Sequence, residues 1–270
     1  MSQHTAFTGS VPQTYDRYLG PLLFAPYARD MVNRLQPKPN DRILELAAGT
    51  GIVTKLIAAS LPSGATLTAT DLKEPMLAVA RNTPGLANNP RVTFKEADAC
   101  AIPFADASFD AIACQYGVMF FPDKLLAMRE ARRVLAPKGR YIFNVWDSFE
   151  HNPIPRIVHE TVAAKFPTNS PNFLKATPYG YNDRAEIERV VRAAGFTNVA
   201  VETVEFPSSA PTAEDAARAF IEGTPLLAGI QERGVTDITP IRAAAAEALA
   251  KRFGAGPCKS TMRAVVFSVS

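Results

Sequence analysis

Arg42-Ile43-Leu44-Glu45-Leu46-Ala47-Ala48-Gly49-Thr50-Gly51 joins a short apolar strand to a glycine turn that opens a helix. Glycine reaches φ > 0 freely and has no Cβ, so Gly49 and Gly51 let the backbone approach a ligand more closely than other residues would. Glu45 stands just before the turn, and Asp71 ends the next predicted strand. Two carboxylates so placed suit a nucleoside-bearing cofactor with a cationic group and a ribose.

This arrangement resembles the first motif of the class I S-adenosylmethionine-dependent methyltransferases, which often have a further glycine where this chain has Ala47. A nicotinamide dinucleotide site is the nearest alternative, since it also uses a glycine turn and an acidic residue about 20 positions later. Spacing fits both, because 71 − 51 = 20. The dinucleotide fingerprint needs a third glycine three residues after the second, where this chain has Thr54. It also sets a pyrophosphate on the helix N-terminus, beside which Glu45 is an electrostatic liability. A sulfonium cofactor has no phosphate and carries an ammonium, which favours Glu45. A turn that merely links strand to helix is the plainest reading of all.

At 270 residues, 47% hydrophobic and 20% charged, the chain is long enough for one large α/β domain with a substantial core. No apolar run is long enough to cross a bilayer, and the N-terminus has no basic stretch followed by an apolar core, so a cytoplasmic protein without membrane insertion is expected. Lys and Arg exceed Asp and Glu by 29 − 26 = 3, and the basic residues are dispersed. That pattern argues against nucleic acid as a partner. Cys100, Cys114 and Cys258 lack metal-ligand spacing, so neither a metal nor a disulfide framework is expected.

From Asp41 to Trp146, short apolar runs alternate with helix-like segments, the pattern of a doubly wound parallel sheet. Strands are predicted at Arg42–Leu46, Thr66–Thr70, Arg91–Glu96, Asp110–Gln115 and Arg140–Trp146, with Pro137-Lys138-Gly139 as a tight turn into the fifth. Helices are predicted at Thr54–Ser60, from Pro75, and at Pro122–Val134. Further on, Asp183 and Glu186 form a capping box for a helix ending at Gly195. Thr212 caps Ala213–Glu222, and Thr239 caps Pro240–Arg252. Val199–Val204 and Arg263–Val269 read as two more strands, and the Gly- and Pro-rich link 223–239 reads as mobile. The expected organisation is a single domain over 1–270: an N-terminal helical cover at 1–40, a cofactor core at 41–146, and cap insertions at 152–181 and 207–259.

Ligands of open α/β sheets bind beyond the carboxyl ends of the strands, where strand order reverses. At that end of the five core strands lie Glu45 to Gly51, Asp71, Asp98, Gln115-Tyr116-Gly117 and Asp147 to His151. Asp71 can accept from both ribose hydroxyls, or cap the helix that Pro75 starts. Leu72 and Met76 offer a surface for adenine, or belong to the core. Asp98 can accept from an adenine amino group, with the Ala99 backbone donating back.

Asp98-Ala99 before Ile102-Pro103-Phe104, Asp106-Ala107-Ser108-Phe109-Asp110, and Arg133-Val134-Leu135-Ala136-Pro137-Lys138-Gly139-Arg140 extend the resemblance. They look like the branch that includes ubiquinone and menaquinone C-methyltransferases. The resemblance implies S-adenosylmethionine as cofactor, with Ala47, Gly49, Gly51, Asp71, Leu72, Asp98, Ala99 and Gln115 lining its site. It implies a seven-stranded sheet of order 3-2-1-4-5-7-6 with strand seven antiparallel. Tyr15-Asp16-Arg17-Tyr18-Leu19 resembles the leading helices that fold over the cofactor, which makes Tyr15 a candidate contact.

Methyl transfer is an in-line displacement in which alignment can contribute roughly 7–11 kcal/mol at best. A phenol, hydroxyl or activated carbon must also lose a proton, a role suited to histidine. Of His4, His151 and His159, His151 follows the fifth strand and is the candidate base, while a surface histidine in a proline-bounded loop is the plainer reading. Tyr116 is the candidate substrate contact. Phe166, Phe173, Tyr179, Tyr181, Leu226, Leu227 and Ile230 in the cap point to a small apolar or aromatic acceptor, or equally to a core or the face of a homodimer. Two other functions stay open: a nicotinamide-dependent reductase, though no tyrosine is followed by lysine four positions later, and a non-catalytic cofactor-binding protein.

Overall fold

Ile43 and Leu44 are fully buried in β1 (Arg42–Glu45), as expected of a strand covered on both faces at the centre of a parallel sheet. The computed structural model describes residues 11–254 and 256–270; His4 lies outside them. Around β1 stand β2 (Thr66–Asp71) and β4 (Phe109–Gln115), both parallel to it. β3 (Val92–Glu96) pairs parallel with β2, and β5 (Leu135–Trp146) with β4. With β6 (Val199–Ala210) and β7 (Cys258–Val269), the order is β3-β2-β1-β4-β5-β7-β6. β7 is antiparallel. Just past its end, Ser270 and Asn198 exchange N–H···O bonds of 3.1 Å in both directions, the signature of an antiparallel pair.

Helices alternate with the core strands: α3 (Ile52–Ser60), α4 (Glu74–Arg81) and α5 (Lys124–Val134), with α8 (Arg184–Ala193) leading into β6. Upstream lie α1 (Val11–Thr14), a wide π-type helix over Tyr15–Phe24, and α2 (Ala25–Leu35). The remainder are α6 (Pro153–Ala163), α7 (Phe173–Ala176), α9 (Ala213–Glu222), α10 (Leu226–Gln231) and α11 (Thr239–Phe253). Capping follows the side chains. Asp183 accepts from the Ala185 and Glu186 N–H groups, and Thr212 accepts from Asp215 at 3.0 Å.

Three expectations change. Pro137-Lys138-Gly139 does not precede the fifth strand but lies inside it: β5 pairs Leu135 with Phe109, and its register shifts before Arg140 meets Ala111. Lys138 there has φ +66°, so the punctuation marks an irregularity within a strand. Thr239 is the first residue of α11, not its cap, and its N–H is held by the Asp237 carboxylate at 2.9 Å. The 223–239 link contains α10, whose Leu226 and Ile230 are fully buried.

The chain divides into two compact units. The first comprises the described residues through Ala25, Trp146–Tyr181 and Glu205–Arg263. In it α11 packs on α9 and α6, and Arg242 bridges Glu214 and Glu222 at 2.5 and 2.6 Å. The second comprises Pro26–Val145, Asn182–Val204 and Ala264–Ser270. Its core sets Ile43, Leu67, Ala111, Ile142 and Val266 from the strands against Met31 and Leu35 of α2 and Val53 and Ile57 of α3. Among the described residues no helix is long and apolar enough to cross a membrane.

Candidate functional site

The site is assembled in the second unit where β1 gives way to α3. The turn takes left-handed backbone at Ala47 (φ +53°), Gly49 (φ +57°) and Gly51 (φ +86°). The non-glycine member, Ala47, holds a conformation that disfavours a Cβ. The next strand ties the turn down three times. Thr70 Oγ1 donates to the Glu45 carbonyl at 2.8 Å, the Ala48 N–H to the Thr70 carbonyl at 2.9 Å, and the Gly49 N–H to Asp71 Oδ2 at 2.8 Å. Asp71 Oδ1 also accepts from the Lys73 N–H at 2.9 Å, so Asp71 orders both the turn and the entry to α4. Burial raises the Asp71 pKa against the pull of these donors.

Glu45 is 2% exposed, and its Oε2 has no hydrogen-bond partner among the described residues. Burial, with the Asp71 charge adding to it, pushes its pKa up to about 8 against the pull of the Thr54 hydroxyl and N–H at the start of α3. A buried acceptor without a donor is costly. A ligand with a cationic end removes that cost, so the residues present fit an ammonium-bearing cofactor, whereas a diphosphate would meet a carboxylate.

The remaining cofactor candidates gather at the same strand ends. Leu72, 45% exposed, is one of two large apolar side chains open to solvent among the described residues, as an adenine-facing surface requires. Met76 is buried under the turn, its Cε placed 3.6 Å from where a Cβ on Gly49 would stand. The Ala97 N–H donates to the Asp71 carbonyl, keeping Asp98 level with that strand end. Asp98 is exposed and accepts from the Cys100 N–H at 2.8 Å, beside buried Ala99. Gln115 ends β4.

Tyr116 is buried with φ +55° and packs edge-on to Tyr27 at 5.5 Å. Its N–H is fixed by Asn144 Oδ1 at 2.9 Å. Asn144, 1% exposed, was missed in the sequence, although a lone amide in the apolar run Ile142-Phe143-Asn144-Val145 is the signal that marks it. Gly117 comes so close to the first turn that a Cβ there would lie 2.5 Å from Ala47 Cβ and 2.7 Å from Cys114 Sγ.

Tyr15 and His151 belong to the first unit. Tyr15 stacks on Phe24 at 4.9 Å. His151 ends a short 3₁₀ turn, with Nδ1 3.2 Å from Ser148 Oγ and 3.7 Å from Asp147 Oδ2. Arg263 donates to the same Asp147 oxygen at 2.8 Å. Asn152 braces the loop through the Asp147, Ser148 and Arg263 carbonyls and the Arg263 N–H.

A family described as a methyltransferase domain matches residues 44–143. A demethylmenaquinone methyltransferase of Clavibacter sepedonicus is 35% identical over 176 residues, spanning 60% of this chain and 68% of that protein. A ubiquinone/menaquinone biosynthesis C-methyltransferase of Geotalea daltonii is 29% identical over 60% of this chain and 69% of its own. Among solved structures, phosphoethanolamine N-methyltransferase 2 of Haemonchus contortus, in complex with phosphomonomethylethanolamine and S-adenosylhomocysteine, covers this whole chain and 60% of its own at a TM-score of 0.64. At 18% identity that likeness speaks to fold. With the glycine turn, the buried Glu45 and the sheet order in place, the chain belongs to the class I S-adenosylmethionine-dependent methyltransferases, resembling their ubiquinone and menaquinone branch, and S-adenosylmethionine is its cofactor.

Proposed function

We propose that this methyltransferase acts on a small apolar or aromatic acceptor of quinol type by in-line displacement. Glu45 binds the ammonium end of the cofactor, Asp71 the ribose, Leu72 and Met76 the adenine face, and Asp98 with Ala99 its amino edge. When bound, S-adenosylmethionine supplies an electrophilic methyl group. His151 takes the proton that a phenolic acceptor must lose: Nδ1 turned to Ser148 and Asp147 leaves Nε2 as the basic nitrogen. Tyr116 and Tyr15 act in positioning the two ligands.

The observation that carries the acceptor class is a row of rings in the first unit. Phe24 meets Trp146 at 6.3 Å, Trp146 stacks on Tyr179 at 5.8 Å, and Tyr179 meets Phe149 at 4.9 Å. Names borne by the relatives support the same class. The enzyme is read as cytoplasmic, acting without nucleic acid, with a homodimer compatible. A nicotinamide reductase is disfavoured by the carboxylate at the turn. The test is S-adenosylhomocysteine formation with an alkyl-substituted hydroquinone against phosphoethanolamine: product from the hydroquinone alone is expected, and product from the amine alone overturns the acceptor class.

A further inference from the structure

Three buried polar atoms cluster in sequence around the glycine turn without a hydrogen-bond partner among the described residues: Glu45 Oε2, Thr50 Oγ1 and Thr54 Oγ1. Their residues are 2%, 3% and 0% exposed. Buried polar groups are almost always paired, so unpaired ones at a site call for an explanation. Thr54 is the more telling. A helical threonine ordinarily returns its hydroxyl to the carbonyl four residues back. Thr161 in α6 does so with Ile157 at 2.8 Å. Thr54, in the first turn of α3, does not, and it bears on the Glu45 carboxyl.

The groups facing Glu45 are otherwise poor partners for a charge. Asp71 on β2 is a like charge, and the buried Cys114 thiol on β4 feels Glu45 as repulsive and is itself pushed up to about 12. Among the described residues the Thr54 hydroxyl and N–H are what favour the ionised carboxylate. With no cation beside it among the described residues, buried Glu45 favours the neutral acid until a cation arrives.

We propose that Thr54 is a positioning residue of the cofactor site, whose hydroxyl donates to Glu45 when the carboxyl ionises, so that seating the ligand's ammonium end releases one proton to solvent. The balance is simple. The Glu45 O–H bond breaks, the proton leaves to bulk water, and the carboxylate pairs with the ammonium while Thr54 holds the other oxygen. This extends the assignment of Glu45 to the cofactor and does not depend on the acceptor.

Calorimetric titration with S-adenosylhomocysteine at pH 7, repeated in buffers of different ionisation enthalpy, reads the proton directly. The expected slope for wild type is about one proton released, and for Glu45→Gln none. Thr54→Val should weaken binding at least about tenfold, as for a lost hydrogen bond to a charged group, and move the rise of affinity with pH to higher pH. Thr54→Ser should restore both. 5′-Methylthioadenosine, which lacks the amino-acid end, should bind without proton release and be indifferent to Thr54→Val. Thermal melts establish that each variant is folded. A slope of zero in wild type, or an unchanged pH profile in a folded Thr54→Val, overturns the proposal. Failure of both nucleosides to bind wild type would instead count against the cofactor site itself.

Discussion

The Gly49 N–H donates to Asp71 Oδ2 across 2.8 Å, linking residues 22 apart in sequence and fixing the glycine turn to the end of the neighbouring strand. An ionised carboxylate has about four acceptor sites. Asp71 can therefore hold the turn and Lys73 and still receive ribose hydroxyls.

Removing that carboxylate takes away both functions. Asp71→Ala should weaken S-adenosylhomocysteine binding by about 10- to 100-fold, from loss of charge-assisted hydrogen bonds. Asp71→Asn, which retains an acceptor, should lose less. Calorimetry decides it: unchanged affinity in Asp71→Ala would remove Asp71 from the site.

Glu45 sets a pH dependence of stability. Its folded pKa of about 8 exceeds the ordinary 4.5, so between those values the folded chain binds more protons than the unfolded one. The stabilisation from the neutral acid is complete below 4.5 and is lost as pH rises through about 8. Glu45→Gln stays neutral throughout. Its melting temperature relative to wild type should rise from pH 6 to pH 9 in the absence of ligand, while its cofactor affinity falls. Parallel melting curves across that range would refute the assignment.

Gly117 and Ala47 form a coupled pair. Gly117→Ala puts a methyl group 2.5 Å from Ala47 Cβ and should destabilise by about 1–3 kcal/mol, the usual cost of overpacking. Ala47→Gly alone should be near neutral, since relief at φ +53° opposes a freer unfolded chain. Combined, the two changes should recover part of the loss in a denaturant double-mutant cycle. Strict additivity would show that the two positions do not meet.

His151→Gln tests the base. S-adenosylhomocysteine binding should be unchanged, and single-turnover methylation of a hydroquinone should fall by about 10²- to 10⁴-fold. Equal rates would leave His151 as a loop residue tied to Ser148 and Asp147.

Where local chemistry decides, the chain was readable. The Asp183 and Thr212 caps follow from short-range side-chain preferences and the carboxyl ends of the core strands from periodicity, while the order of the sheet comes from the family resemblance alone. Long-range features were not. The irregularity at Pro137-Lys138-Gly139 uses the same residues as a turn, and only pairing with Phe109 and Ala111 distinguishes them. β6 runs on to Ala210 through Pro207, which pattern alone would exclude. The Asp71 bond to Gly49 and the Asn144 bond to Tyr116 join distant residues, so no window along the sequence contains them. Positive φ at Ala47 and Tyr116 was hidden for a related reason: neither is a residue type that announces it.

The three bonds from Thr70 and Asp71 to the turn also bear on protein engineering. A loop spanning 45–51 transplanted alone into another scaffold would arrive without its fasteners, because they are carried by a different strand. The smallest graft that keeps these three bonds is the whole β1–α3–β2 segment, so recombination breakpoints placed between Glu45 and Lys73 should yield inert chimeras.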